Sequence, residues 1–310
     1  MGSSHPSDAT LKSYASLNSG GLGTLSEFWR VYRHKTSDVT GNVASVVGTC
    51  KDMEKDVAEQ FGLALRDMAV LEVGAGQQLL RLKYFSLTND VTALDYDIII
   101  QGLDIPAYFR VFTNNGPKRM LKTVLRKLAG IDRSYWNELE KHIGRARSRL
   151  KVVQGDAHAM PWPDASFDFV YSFSVFEHVS DPAKCLDEVI RVLKPGGVFL
   201  ISTHMYTSDS GAHDPRSFLP HHGDLAPWAH LRPAHQNSVK PNAFCNAWRN
   251  EQWETLFRER CPSVVLQNKM SPDWLIPELA TLRTAGELAE YSDEELLTCD
   301  LWALWQKPSE

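Results

Sequence analysis

The sequence predicts an α/β protein built on a doubly wound, mainly parallel sheet. Three observations point there. The stretch AVLEVGAGQQLLRL (69–82) runs apolar, breaks into Gly74-Ala75-Gly76 and resumes as a leucine-rich pattern, as a buried strand turning tightly into a helix reads. Downstream, short apolar runs alternate with helical patterns, the rhythm of strands joined by crossover helices. Finally, Asp95 and Asp156 close the second and third of these runs, at the strand ends where doubly wound sheets bind ligands.

Taken in order, residues 1–60 read as a flexible N-terminal extension that is Ser/Gly-rich at its start and lacks the apolar stretch of a secretory signal. Within it TLSEFWRVYRHK (24–35) has an apolar face from Phe28, Trp29, Val31 and Tyr32 and reads as a lid helix; a second helix is expected over 50–63. Residues 61–310 form the main domain. Its strands are expected at 68–74, 90–97, 150–156, 167–175, 196–203, 263–269 and 300–307, with helices over 77–85, 181–193 and 251–260. Two segments interrupt the rhythm. Residues 101–150 read as a basic helical insertion, with helices over 107–112, 117–130 and 133–150. Residues 204–250 are rich in His, Pro and Trp, poor in periodic structure, and read as a substrate loop.

Composition narrows the function classes. With 310 residues, 43% of them hydrophobic, the chain can bury a sizeable core. A net charge of −5 gives no whole-protein attraction to nucleic acid or anionic membranes, and no apolar stretch is long enough to span a bilayer. The five cysteines are scattered, with no CxxC pair, so a reducing cytoplasm is the expected setting. The basic stretch 110–149 reads first as a solvated surface, second as a lid for an anionic small molecule, and last as a nucleic-acid contact, since no aromatic platform accompanies it.

The glycine turn narrows the ligand. A dinucleotide fingerprint needs a third glycine, and Leu79 stands there, against NAD or FAD. Glu72, two residues before Gly74, is a carboxylate that is costly at a sheet mouth unless a donor meets it. An amino acid's ammonium would; a pyrophosphate would be repelled. Asp95, 21 residues after Gly74, is placed for ribose hydroxyls, and Asp156 for an adenine amino group.

From about Val70 to Thr203 the chain resembles the class I S-adenosylmethionine-dependent methyltransferases. The resemblance rests on VLEVGAG, on ALDYD, and above all on GDAHAMPWPDASFDFVYSFSVFEHVSDPAKCLDEVIRVLKPGGVFLIS, in the family's order. It implies a Rossmann-like seven-stranded sheet with the last strand antiparallel. It also implies S-adenosylmethionine as cofactor and S-adenosylhomocysteine as product, with Glu72, Gly74, Ala75 and Gly76 along the methionine part. Asp95 would then lie at the ribose, Asp156 and Ala157 at the adenine, and Phe173 near the reactive methyl, with Tyr96 also counted among the cofactor-binding residues. Gln78 departs from the family's G-x-G-x-G, making the helix start bulkier.

Methyl transfer from a sulfonium is an in-line displacement, and a weakly acidic hydroxyl acceptor also needs a base or a metal. His204, closing the fifth strand, is the first candidate for base or substrate contact; His178 and His213 follow. Glu177-His178 matches a pair that helps hold a divalent cation in quinone O-methyltransferases, but Ser174 fills the upstream acidic position. His213-Asp214 also permits a metal, yet no tight motif such as HExxH is present, and no metal ligand is assigned. Trp228, Trp248 and Trp253 read as an aromatic wall or as core. The expected reaction is O-methylation of a sugar-like or natural-product small molecule, with no nucleic-acid partner, no stable membrane insertion and the oligomeric state open. Alternatives are N- or C-methylation of another metabolite, an inactive cofactor-binding scaffold, which Gln78 invites, and a nicotinamide oxidoreductase.

Overall fold

A computed structural model describes residues 36–309 except 103, 116–119, 121–122, 125–126, 129 and 146–148. The expected lid helix at 24–35, and most of the helix expected over 117–130, lie outside the described residues.

The sheet has seven strands: β1 (Ala69–Val73), β2 (Asp90–Asp95), β3 (Lys151–Gln154), β4 (Phe167–Phe173), β5 (Leu193–His204), β6 (Val265–Met270) and β7 (Thr298–Gln306). Their order is β3-β2-β1-β4-β5-β7-β6, with six strands parallel and β7 antiparallel. β1 pairs in parallel with β2 and β4, placing Glu72 opposite Ala93 and Tyr171, and β2 pairs with β3, placing Asp95 opposite Gln154. The order reverses at β1, the switch point where such sheets open a crevice at their carboxyl ends. By compactness the chain divides into two units, and β5 and β7 run through both.

The first unit comprises residues 35–173, 183–201 and 304–310. Its helices are α1 (Val39–Phe61), α2 (Leu80–Phe85), α3 (Ile105–Asn115), α4 (Ile131–Ile143) and most of α5 (Pro182–Val192). The helix expected over 50–63 in fact begins at Val39. Asp38 caps it by accepting the Gly41 amide at 2.7 Å, and Val43, Val47, Cys50, Met53 and Val57 form one buried stripe at helical spacing. Gly41, Gly48 and a run of β-branched residues conceal this first half from a propensity reading. Gly62, in the left-handed region at φ 67°, ends the helix.

α4 stops at Gly144 rather than reaching 150, and it is amphipathic, with Arg133 and Lys141 exposed on its outer face. Ile131, Tyr135 and Leu139 are buried, and the helix packs on α1 and α2. Asn42 donates to the Tyr135 hydroxyl at 3.2 Å, and the Lys83 ammonium sits 4.2 Å from the centre of the Trp136 ring.

The second unit, in its described part, comprises residues 174–182 and 202–303. It holds α6 (Asn250–Arg260), β6, α7 (Leu275–Thr284) and α8 (Asp293–Leu297). The last two helices are absent from the sequence reading. α8 carries a short signal: Ser292 accepts the Glu295 amide at 3.0 Å, half of a capping box. Leu275, Leu279, Leu282, Leu288 and Leu296 close around Trp228 as this unit's core. As expected, residues 205–249 contain only 3₁₀ turns among regular elements, at 215–218, 220–222, 229–231 and 236–238. Among the described residues no helix is long and apolar enough to cross a membrane.

Candidate functional site

In the first unit, strand β1 leaves the sheet at Gly74, whose φ of 76° is in the left-handed region, and its amide donates to Leu94 O at 2.7 Å. Gly76 repeats the left-handed turn at φ 62° and donates to Asp95 Oδ2 at 2.9 Å. The other oxygen, Oδ1, accepts the Asp97 amide at 2.8 Å, and the Asp95 carbonyl accepts the Gly155 amide at 3.0 Å. Asp95 therefore fastens the glycine turn to the ends of β2 and β3. Asp156 follows at once; its Oδ1 accepts the His158 amide at 2.9 Å and lies 2.6 Å from His158 Nδ1. Tyr96 is exposed and Ala157 half-buried beside these strand ends.

The bulk at Gln78 has a structural accommodation. Leu79 takes a left-handed φ of 56°, the helix starts only at Leu80, and the Trp136 indole N–H donates to Gln78 O at 2.8 Å. The insertion thus braces the turn where the family's glycine is missing.

A cavity of about 300 Å³ opens over the turn, with Glu72, Ala75, Gly76, Gln77 and Arg81 among its lining residues. Glu72 is 2% exposed and its Oε2 has no hydrogen-bond partner. The Tyr171 hydroxyl lies near the carboxyl but outside hydrogen-bond geometry. Burial pushes the Glu72 pKa up to about 8, partly offset by the Arg81 charge. The Arg81 guanidinium lies 4.3 Å from the Phe173 ring centre, and its buried Nε is also without a partner. One cavity thus holds one buried acceptor and one buried donor still to be satisfied. Sequence reasoning missed Arg81 and Trp136, because only helix phase and a contact 58 residues distant place them there.

The second unit gathers the three histidines singled out from the sequence. His178 ends a 3₁₀ turn after β4, His204 ends β5, and His213 lies in the loop with φ 53°. The His213 ring centre is 4.5 Å from that of His178 and 5.0 Å from that of His204. His178 Nδ1 lies 2.6 Å from Phe244 O; a carbonyl only accepts, so this nitrogen carries the proton and the lone pair is on Nε2. His204 Nδ1 meets Asp300 at 3.2 Å, and Nε2 meets Ser210 Oγ at 3.0 Å. Burial opposes the charge on His204, but Asp300 and Cys299 raise its pKa well above the usual histidine value. His213 is pushed down to about 2 by burial and by the neighbouring histidines, and burial also lowers His178.

Other histidines have separate partners. His222 pairs with Asp209 at 2.9 Å, His230 donates to Tyr206 O at 2.7 Å, and His221 rests edge-on against Trp274. Asp214 is no partner for a metal on His213: Arg216 holds it at 2.7 and 3.0 Å, and the Lys240 amide donates to it at 2.7 Å. Nor is Trp228 part of an exposed wall, since it is fully buried and donates to Leu296 O at 3.3 Å; Trp253 is buried too, stacked on Phe257.

Residues 115–201 match a family described as a methyltransferase domain. This match supports the resemblance to the class I S-adenosylmethionine-dependent methyltransferases over that part of the chain. The match starts downstream of the glycine turn and does not include Glu72, Gly74, Gly76 or Asp95. Among curated relatives, a Mycolicibacterium smegmatis protein named "Probable S-adenosylmethionine-dependent methyltransferase" is 39% identical over 27% of this chain and 32% of its own length. A sterol 24-C-methyltransferase of Aspergillus fumigatus is 34% identical over 36% of this chain and 28% of its own. The chain spans only about a third of the curated relatives it matches. A solved phosphoethanolamine N-methyltransferase 2 from Haemonchus contortus, in complex with S-adenosylmethionine, is 17% identical over 83% of this chain and 52% of that one, with a TM-score of 0.45.

Proposed function

We propose that this methyltransferase moves the methyl group of S-adenosylmethionine to a small-molecule acceptor, with a hydroxyl oxygen of a sugar-like or natural-product compound as the target atom. The observation that carries the cofactor half is the pair of unsatisfied buried groups in one cavity, Glu72 Oε2 and Arg81 Nε. Their chemistry fits an amino acid's two charges: the ammonium donates to Glu72 and the carboxylate accepts from Arg81. Asp95 would take the ribose hydroxyls, with Tyr96 beside them, Asp156 and Ala157 the adenine, and Phe173 the region of the reactive carbon. When bound, the cofactor supplies an electrophilic methyl on a sulfonium.

The chain's own contribution on the acceptor side is assigned to His178, His204 and His213. His204 is held as a cation with both ring nitrogens engaged, so of the two roles considered for it the substrate contact is the one proposed, not the base. Burial lowers His178 and His213, which favours their neutral forms. Both side chains are largely shielded from solvent. The five free cysteines fit a reducing, cytoplasmic setting.

Calorimetry tests the cofactor half. Micromolar binding of S-adenosylhomocysteine with none of NADH is expected, and the reverse pattern overturns it. Methyl release over a panel of hydroxyl, amine and carbon acceptors tests the target atom. Turnover confined to amines or carbon would replace the oxygen assignment.

A further inference from the structure

We propose that Glu177, His178, His213 and Cys245 form a binding site for one zinc-class divalent metal ion in the second unit. The four residues come from a turn after β4 and two separate parts of the 205–249 loop, yet the structure converges them. The ligand atoms of His178, His213 and Cys245 all lie within 4.8 Å of one another. Glu177 Oε1 is 3.9 Å from His178 Nε2 and 3.9 Å from His213 Nε2.

The convergence leaves an electrostatic debt. The Glu177 side chain is 3% exposed, and neither of its oxygens has a hydrogen-bond partner; the same is true of His213 Nε2. The backbone N–H groups of Glu177 and His204 approach the carboxylate without reaching hydrogen-bond geometry. Each such orphan is costly when buried. A single cation at the centre would satisfy all three.

The donor set also selects the ion. Two imidazoles, a thiol and a carboxylate are the ligands of zinc and its neighbours rather than of magnesium or calcium, which take oxygen. With the thiol ionised, the set carries two negative charges against two positive ones. Zinc–ligand bonds of about 2.0–2.3 Å in a tetrahedron put ligand atoms about 3.3–3.8 Å apart, so the spacings here close with small side-chain movements. His178 Nδ1–H is held on the Phe244 carbonyl, as metal-bound histidines hold their second nitrogen, and Cys245 Sγ lies 3.9 Å from that Nδ1, so the thiol must turn toward Nε2 to complete the set. The neighbouring His204, Cys299 and Asp300 also cluster, but His204 is spent on Asp300 and Ser210 and stands outside the proposed ligand set.

The inference does not rest on the cofactor reading, and its test separates the two. The full chain is dialysed against zinc, then against metal-free buffer, and its content is measured by mass spectrometry. About one equivalent is expected, with affinity at least about a hundredfold weaker in His213→Ala and Cys245→Ser. Cobalt substitution gives a second readout: a thiolate-to-cobalt absorption band that Cys245→Ser abolishes. S-adenosylhomocysteine binding and circular dichroism report whether each variant is folded. The proposal is overturned if wild type retains no stoichiometric zinc or cobalt, if it takes up only magnesium or calcium, or if the folded variants bind zinc as wild type does.

Discussion

The Gly76 amide donates to Asp95 Oδ2 across 2.9 Å, joining the glycine turn after β1 to the last residue of β2. The same carboxylate holds the Asp97 amide at 2.8 Å, so Asp95 shapes the glycine turn in addition to the ribose contact proposed for it. Asparagine at this position keeps one acceptor oxygen and turns the other into a donor. Asp95→Asn is therefore expected to weaken S-adenosylhomocysteine binding by about tenfold or more and to lower stability by about 1 kcal/mol. Calorimetry and urea melts check both. Wild-type affinity in a folded Asp95→Asn protein would remove Asp95 from the ribose.

Glu72 makes the pocket sensitive to pH. Its carboxyl is raised from 4.5 in the unfolded chain to about 8 in the fold, so between those values the folded chain holds a proton that the unfolded chain has released. Stability without ligand then falls as pH rises through that window and levels off above about 8. A bound ammonium favours the ionised carboxylate, so S-adenosylhomocysteine affinity should climb from pH 6 to pH 8, by at most about tenfold per unit. Glu72→Gln should flatten both trends, leaving the unliganded protein at least as stable at pH 8 while weakening binding. Melts and calorimetry across that range decide it. An affinity independent of pH would argue that the ammonium lies elsewhere.

Trp136 supplies the turn's outer support through its 2.8 Å hydrogen bond to Gln78 O. Trp136→Phe keeps a ring beneath the Lys83 ammonium, now 4.2 Å away, and removes only the indole N–H. A loss of about 1 kcal/mol in stability is expected. Ligand affinity should fall a few-fold, because the turn must then be ordered on binding. Unchanged affinity in this variant would show that the turn holds its path without the insertion.

Much of this was legible in the sequence, for identifiable reasons. Parallel strands buried on both faces leave continuous apolar runs, and the glycine turn leaves its residues in one short segment, so the sheet and the pocket floor could be placed directly. α1 was cut short because Gly41, Gly48 and the valines mask a buried stripe that only spacing reveals. α7 and α8 were missed because one carries Pro277 inside it and the other is five residues long. The site's remaining parts are tertiary. Nothing in sequence places Arg81 under Phe173, Trp136 against Gln78, or Cys245 beside His178, and Asp300 meets His204 across 96 positions.

The same limit applies to Trp228, which the sequence leaves open between a ligand-facing ring and the core. In the fold it is fully buried among Leu275, Leu279, Leu282, Leu288 and Leu296, with its indole N–H donating to Leu296 O at 3.3 Å. Its backbone is left-handed at φ 51°, a conformation a bulky residue keeps only where surrounding packing enforces it. Trp228→Ala should therefore cost about 3–5 kcal/mol through the cavity it leaves. Trp228→Phe retains most of the apolar contact and should cost less, the indole hydrogen bond contributing about 1 kcal/mol. Urea unfolding of the two variants ranks these terms. If alanine cost less than about 1 kcal/mol, as a surface substitution does, the ring would be a ligand-facing group after all.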